Sequence, residues 1–156
     1  GYQQGISPVI SYDHGAGDTV KLKKIYRCAL WTIAVLSVVT FALTFPMARP
    51  LSLIYSSDSP HVTAMSITGI RISAFSFLLM GFNMFASAMF TAFNDGKTSA
   101  ILSLLRTLVF FIIPLLILPR VWGVDGVWLS LPAAEILAAA VSLYYFKSKK
   151  AVYNYA

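Results

Sequence analysis

Residues 61–94 are apolar throughout, yet their polar members fall on one side. With successive residues about 100° apart, as in an α-helix, Ser66, Gly69, Ser73, Ser76, Met80, Asn83, Ser87, Thr91 and Asn94 share one stripe. That stripe is roughly 100° wide, the width of one helix face. Phe75, Leu78, Leu79, Phe82, Phe85, Met89, Phe90 and Phe93 cover the opposite side. A bilayer suits such a helix if the aromatic side meets lipid or neighbouring helices and the polar stripe meets protein or a watery cavity. A lined passage is the first functional expectation, with Ser73, Ser76, Met80, Asn83, Ser87 and Thr91 as its candidate lining.

The rest of the chain agrees with a membrane setting. Its residues are 58% hydrophobic and 12% charged, against about 25% charged in an ordinary soluble domain. The net charge is +6, but the basic residues gather at the ends of apolar segments. That placement reads as membrane topology rather than as a surface for RNA or DNA, so no nucleic-acid partner is expected. Cys28 stands alone, which leaves no internal disulfide and no metal motif. His14 and His61 fall in separate loops. There is no glycine-rich phosphate loop and no pair of catalytic carboxylates. The expectation is a non-enzymatic protein with no catalytic residue, no metal ligand and no cofactor.

Four segments of membrane length follow one another, at about residues 25–45, 66–93, 98–118 and 126–146. Residues 1–12 read as the end of an earlier helix, with Pro8 as a bend. The connections are residues 13–24, 46–60, 94–97 and 119–125, with a short interfacial helix expected at 51–55. The fold class is therefore all-α, a polytopic membrane helix bundle with four full spans and the end of a fifth. The start at Gly1, without an initiator methionine, reads as a piece of a longer protein.

Charge orients the spans. Lys21, Lys23, Lys24, Arg27, Lys97, Lys147, Lys149 and Lys150 fall on one side of the membrane, Arg49 and Arg120 on the other. The positive-inside rule makes the first side cytoplasmic, with residues 147–156 as a cytoplasmic tail. Trp122 and Trp128 then lie at the outer interface, and Tyr144 and Tyr145 at the inner one.

Three charged residues lie within spans, where each costs about 2.5–3.5 kcal/mol unless paired or hydrated. At about 1.5 Å per residue, Glu135 is roughly 16 Å and Arg106 roughly 12 Å from the inner end of its span. Arg106 and Glu135 are thus expected to pair between antiparallel helices, either as a packing clamp or with Glu135 as a titrating group that meets cationic substrates. Arg71 lies near an outer end and is expected to snorkel. Asn83 reads either as a bond to a neighbouring helix or as cavity lining. Pro114 and Pro132, like Pro8, are candidate helix bends.

Four stretches in order resemble the MATE (multidrug and toxic compound extrusion) transporters. The first is the run Ser7-Pro8-Val9-Ile10-Ser11-Tyr12-Asp13-His14-Gly15-Ala16. The second joins Gly69-Ile70-Arg71 with Gly81-Phe82-Asn83, and the third joins Ser103-Leu104-Leu105-Arg106 with Ile113-Pro114-Leu115. The fourth joins Gly126-Val127-Trp128-Leu129 with Pro132-Ala133-Ala134-Glu135. The family commonly has Asn-Tyr where this chain has Asp13-His14, and often Gln at the position of Ser7. The resemblance implies that residues 1–150 are a partial second lobe, running from the end of the eighth of twelve helices to the twelfth. It further implies an antiporter of two lobes in a bacterial inner membrane, with an N-terminal lobe as partner. Cationic amphipathic drugs would leave as protons or sodium ions enter, by alternating access. Some members use an acidic residue in the tenth helix for sodium; residues 66–93 contain none, and Asn83 is the nearest polar candidate. A flippase for lipid-linked oligosaccharides of the same superfamily, and a non-transporting membrane scaffold, are the alternatives.

Overall fold

The computed structural model describes residues 1–56 and 59–153, and these form helices without strands. In order they are α1 (Tyr2–Gly15), α2 (Thr19–Ser56), α3 (Pro60–Ala74), α4 (Ser76–Ala92), α5 (Gly96–Leu104), a π-helical turn (Leu105–Val109) and α6 (Phe110–Tyr153). Of the polar run 56–59, residues 57 and 58 lie outside the described residues, as do 154–156 of the expected tail.

The first apolar span is longer than expected. α2 holds 38 residues and passes through Pro46 and Pro50 without ending. Each proline removes one backbone hydrogen bond, a loss that spans tolerate where neighbouring helices cover the site. Ala48 and Ser52 are buried, so the extension is packed, and α2 lies along α3 and α4. The separate interfacial helix expected at residues 51–55 is the end of α2 itself.

The second span is bent. α3 and α4 meet at 42°. Neither proline nor glycine marks the break. Instead, the Phe75 N–H turns to the Ile72 carbonyl and the Leu78 N–H to the Phe75 carbonyl, both at 3.2 Å. These tighter i→i−3 bonds replace the α-helical ladder for one turn. Phe41 and Phe45 of α2 hold the Phe75 ring at 5.1 and 6.4 Å.

α4 ends in a compact turn. Asn94 takes a left-handed φ of 60°, which Asn tolerates better than most residues. The Asp95 N–H reaches back to the Phe90 carbonyl at 2.9 Å, the closing bond of a helix-terminating motif. Asp95 then caps α5 by accepting the Thr98 N–H at 3.1 Å.

The last two spans form a hairpin. Read as one rod, Gly96–Tyr153 spans 58 residues, about 87 Å at 1.5 Å per residue. The Tyr153 hydroxyl nonetheless lies 3.0 Å from the Asp95 carboxylate. The chain turns back at Gly123, where φ is 58° and ψ is −135°, a conformation that glycine adopts readily. Just beyond, a Cβ at Gly126 would sit 2.3 Å from the Leu118 carbonyl oxygen, so a side chain there would push the two arms apart. α6 remains helical to Tyr153, which makes the described part of the expected tail a helix end.

Thr19–Ile54, Gly96–Tyr153 and the bent α3–α4 pair are each long and apolar enough to cross a bilayer. Only 17% and 11% of the most apolar windows of the first two are buried in the bundle. The remaining apolar surface is suited to lipid or further protein, and the chain is an integral membrane protein. The buried core lies toward the lysine-bearing end, called inner below. Phe85, Met89, Phe90, Phe93 and Phe146 are its large members, and Phe90 stacks on Phe146 at 5.6 Å. Small residues Ala134, Ala138 and Ser142 are buried along one line of α6, the spacing that allows close helix approach in membranes.

Candidate functional site

The centre of the bundle holds a carboxylate gripped from two other elements. Arg106, in the π turn, directs its Nε to Glu135 Oε1 at 3.1 Å. Asn83 of α4 donates through Nδ2 to Glu135 Oε2 at 2.6 Å and to the Glu135 carbonyl at 2.9 Å. Glu135 and Asn83 are buried, 8% and 3% exposed. Isolating a carboxylate from water costs several kcal/mol unless it is paired, and here one partner is charged and the other binds it at two points. A π turn holds one residue more than an α turn, so it resets the register from which Arg106 reaches α6.

Two clefts flank this triad. The outer one, about 370 Å³, is lined by Ser73, Ser76, Phe77, Met80, Thr107, Phe111, Leu131 and Ala134 together with Arg106 and Glu135. The inner one, about 540 Å³, is lined by Gln3, Gln4, Ser7, Pro8, Met84, Ser87, Thr91 and Ser103 together with Arg106. Arg106 thus reaches both, while Glu135 is the carboxylate among the described lining residues. The Ser73 and Ser76 hydroxyls are buried without a hydrogen-bond partner among the described residues, and so is Asn83 Oδ1.

The polar stripe is therefore not one continuous wall. Ser73, Ser76 and Met80 open on the outer cleft, Ser87 and Thr91 on the inner one. Asn83 lines neither, because it is turned into the contact between α4 and α6. The division falls within α4, between Met80 and Ser87, and not at the bend, since Ser73 and Ser76 on either side of Phe75 line the same cleft. Farther out, Gly69 lies under the Trp128 indole, where a Cβ would come within 2.3 Å of the ring. Trp128 is thereby packed against α3 and partly buried, whereas Trp122 is exposed. Ser87 also bonds Ser99 at 3.0 Å and Ser103 at 2.7 Å, and Thr91 bonds Ser99 at 2.6 Å. This hydroxyl ladder joins α4 to α5. Its signal in the sequence is the matched four-residue spacing of Ser87 with Thr91 and of Ser99 with Ser103.

The bend candidates fall elsewhere than the breaks. α1 stays helical through Pro8, and α6 through Pro114 and Pro132. The break positions are Phe75 and Gly123 instead. Arg71 does not simply reach for water: its guanidinium lies over the Phe45 ring at 5.4 Å, a cation–π contact.

A second carboxylate, Asp95, gathers the inner ends. It accepts from Thr98 Oγ1 at 2.7 Å, from the Tyr153 hydroxyl at 3.0 Å, and pairs with Lys149 Nζ at 3.3 Å. Burial opposes its charge, yet the hydrogen bonds from Thr98, Tyr153 and Lys149 outweigh it and hold the carboxyl at about 2. Burial and the bond to Asp95 raise the Tyr153 hydroxyl above its usual value. The Tyr153 ring stacks on Phe93 at 4.7 Å, and His14 closes on Phe93 at 4.8 Å. Neither Tyr153 nor this role of His14 is evident from spacing, because three separate helices bring them together.

The sequence profile of the MatE family matches residues 1–116. The chain belongs to the MatE family. Among solved structures, this MatE chain is similar to one described as the outward-facing conformation of a multidrug resistance MATE family transporter of the MOP superfamily. The TM-score is 0.88 at 22% identity, over 99% of this chain and 35% of that one. At that identity the likeness establishes the fold, and the MatE chain spans about a third of the length of the structure it matches. No curated protein matches it.

Proposed function

We propose that this chain is the greater part of the second lobe of a cation-coupled exporter. The whole protein would be a secondary active transporter that expels cationic, amphipathic drug-like molecules as protons or sodium ions enter. The N-terminal lobe of the same protein is its partner, and the two lobes alternate access around a shared passage. The setting is a bacterial inner membrane with the C-terminus in the cytoplasm, from the charge asymmetry of the loops.

The observation that carries the reading is the position of Arg106 between the two clefts, paired with the carboxylate that lines the outer one. A proton, a sodium ion or a cationic substrate at Glu135 competes with Arg106 for the same oxygens. That competition is what antiport requires of a site. Sodium has oxygen donors nearby, since Ser73 and Ser76 line the cleft with Glu135 and lack hydrogen-bond partners among the described residues. The π turn supplies a place where Arg106 can change register once Glu135 lets go.

One feature favours the lipid-linked oligosaccharide flippase: the inner cleft carries Arg106 and no carboxylate among its described lining. A single arginine is little positive charge for a large anionic substrate, so the drug exporter is the better reading. A non-transporting scaffold has no use for clefts on both sides of a buried ion pair.

Efflux of a fluorescent cation from vesicles holding the full-length protein tests the proposal, driven in turn by a pH gradient and a sodium gradient. Glu135→Gln and Arg106→Gln should each lower the driven rate by about tenfold or more, the loss of about 1.4 kcal/mol. Unchanged efflux in both variants would sink the role given to the pair. The isolated chain should give cells no drug resistance while the full-length protein does; resistance from the isolated chain would overturn the two-lobe requirement.

A further inference from the structure

The face of α2 that points away from the bundle carries a pattern that neither the packing nor the clefts use. Lys23, Lys24 and Arg27 lie in its first turns and are exposed. With Val20 they line a shallow groove of about 320 Å³. The neighbouring Lys21 is held by Asp18 at 3.0 Å, and Lys149 by Asp95. Lys23, Lys24 and Arg27 form no ion pair among the described residues.

Deeper along the helix the same face is apolar. Val20, Lys24, Arg27, Trp31, Val35 and Val38 repeat at four- and three-residue steps, which places them on one face. Trp31 is 74% exposed, and Val35 and Val38 are exposed as well. Trp31 lies about 6 Å deeper than Arg27 along the helix, and Val38 about 10 Å deeper again. Positive charge at the helix start, an indole one turn in, and an open apolar strip beyond are complementary to one kind of molecule. That molecule has a negative group at the membrane surface and a hydrocarbon chain running inward.

We propose that this face of α2 binds a diacyl phospholipid with an anionic headgroup, in the leaflet at the basic end of the bundle. Lys23, Lys24 and Arg27 take the phosphate region, and the acyl chain lies along Trp31, Val35 and Val38. A zwitterionic lipid offers the same hydrocarbon without the net charge, so selectivity should rest on the three basic residues. It should weaken with salt, because these residues are exposed.

Cys28 is exposed beside Arg27 and is the chain's single cysteine, so it can report on this face. The experiment uses full-length protein in phosphatidylcholine vesicles, with a fluorophore on Cys28 and any cysteines outside this chain replaced. Part of the lipid carries brominated chains, as phosphatidylglycerol in one series and phosphatidylcholine in the other. The brominated anionic lipid should quench with an apparent preference of about tenfold, falling several-fold in about 0.5 M salt. Combined Lys23→Gln, Lys24→Gln and Arg27→Gln should bring the preference to about one while quenching by brominated phosphatidylcholine stays as in the parent, so α2 is still in the bilayer. If that control moves, Arg27→Gln and Lys24→Gln are read singly, each expected to lower the preference about twofold. Equal quenching by the two lipids in the parent overturns the proposal. So does a preference that survives the substitutions, or one that soluble inorganic phosphate abolishes, since that would mark a phosphate site and not a lipid site.

Discussion

Glu135 and Asp95 are both carboxylates held by residues from other helices, but their surroundings differ. Asp95 lies in the turn between α4 and α5, caps α5, and takes further bonds from Lys149 and Tyr153 near the end of α6. Glu135 lies about 16 Å along α6 from Phe146 and has Asn83 and Arg106 as its partners. The inner tie is a helix cap enlarged into a clasp: its carboxylate is about as covered as that of Glu135, 12% against 10% exposed in the side chain, but it has partners to spare in Thr98, Tyr153 and Lys149. The central tie has one cation and one amide, so each partner removed leaves a charge or an amide unsatisfied within the protein. The clefts follow the same division: Arg106 and Glu135 line them, and Asp95 lines neither. The inner clasp fastens helix ends together, whereas the central tie borders both clefts.

The largest expected effect tests that contrast directly. Arg106→Leu strands Glu135 and should cost about 3–5 kcal/mol of stability, as removing one member of a buried pair does. The double change Arg106→Leu with Glu135→Leu should recover much of that loss, because neither charge of the pair is then left without its partner. Thermal unfolding of the purified full-length protein compares the two. If the single and double variants unfold alike, Glu135 is better hydrated than its burial suggests and the contrast with Asp95 disappears. Exchanging the pair, Arg106→Glu with Glu135→Arg, should restore part of what either single change loses; no rescue would mean that the surroundings, and not the pairing, set the cost.

Asn83→Leu comes next. It removes two bonds to Glu135 but no charge, and interhelical hydrogen bonds in membranes average about 0.6 kcal/mol with a maximum near 1.7. A loss of about 1 kcal/mol is expected by the same measurement. A loss as large as that of Arg106→Leu would make the amide, and not the ion pair, the main fastening between α4 and α6.

Arg106 and Glu135 are legible as partners because intramembrane charge is rare and helical rise alone gives their depth. The four spans are legible for the same reason, from apolar length and the lysines at their ends. What escapes has no local signature. Nothing in Leu105–Val109 marks a π turn: the run has no proline or glycine, and none of its residues is buried. The bend at Phe75 lacks the proline or glycine that would announce it, and of the two readings of Asn83 the structure has the bond to a neighbouring helix, at Glu135. Prolines that look like bends, Pro114 and Pro132, stay within helical backbone in the two arms on either side of Gly123, a loss of bonding that neighbouring spans make tolerable. The Asp95 clasp is half legible. The Asp-Gly-Lys-Thr start of α5 reads as a cap, but Tyr153 lies 58 positions away.

The inner clasp should respond more weakly. Asp95→Ala removes the cap and the Lys149 and Tyr153 bonds together, for a loss of about 1–2 kcal/mol, the upper range for a capping residue. Its pH dependence has a definite sign. The folded carboxyl is held at about 2, below its usual value of 3.8. The stability it contributes is therefore complete above about pH 4 and is lost as pH falls through about 2. Between pH 5 and 8 the difference between parent and Asp95→Ala should stay constant. A difference that grows or shrinks across that range would show that Asp95 is coupled to another titrating group.

The smallest effect separates the two parts of the Tyr153 contact. Its hydroxyl donates to Asp95 at 3.0 Å, while its ring lies on Phe93 with an interplanar angle of 15°. Tyr153→Phe keeps the ring and removes the bond, and Asp95 retains Thr98 and Lys149. A hydrogen bond to a charged acceptor contributes about 1.5–3 kcal/mol when nothing replaces it. Here Thr98 and Lys149 stay on the same carboxylate, so the expected loss is about 0.5 kcal/mol, the low end for a single hydrogen bond. Tyr153→Ala also removes the stack and the ring's contact with His14, and should cost about 1 kcal/mol more, the scale of a stacked aromatic pair. If Tyr153→Phe costs as much as Tyr153→Ala, the hydroxyl is the whole contact and the other partners of Asp95 do not make up for its loss. The contrast between the two carboxylates would then reduce to the charge of their partners.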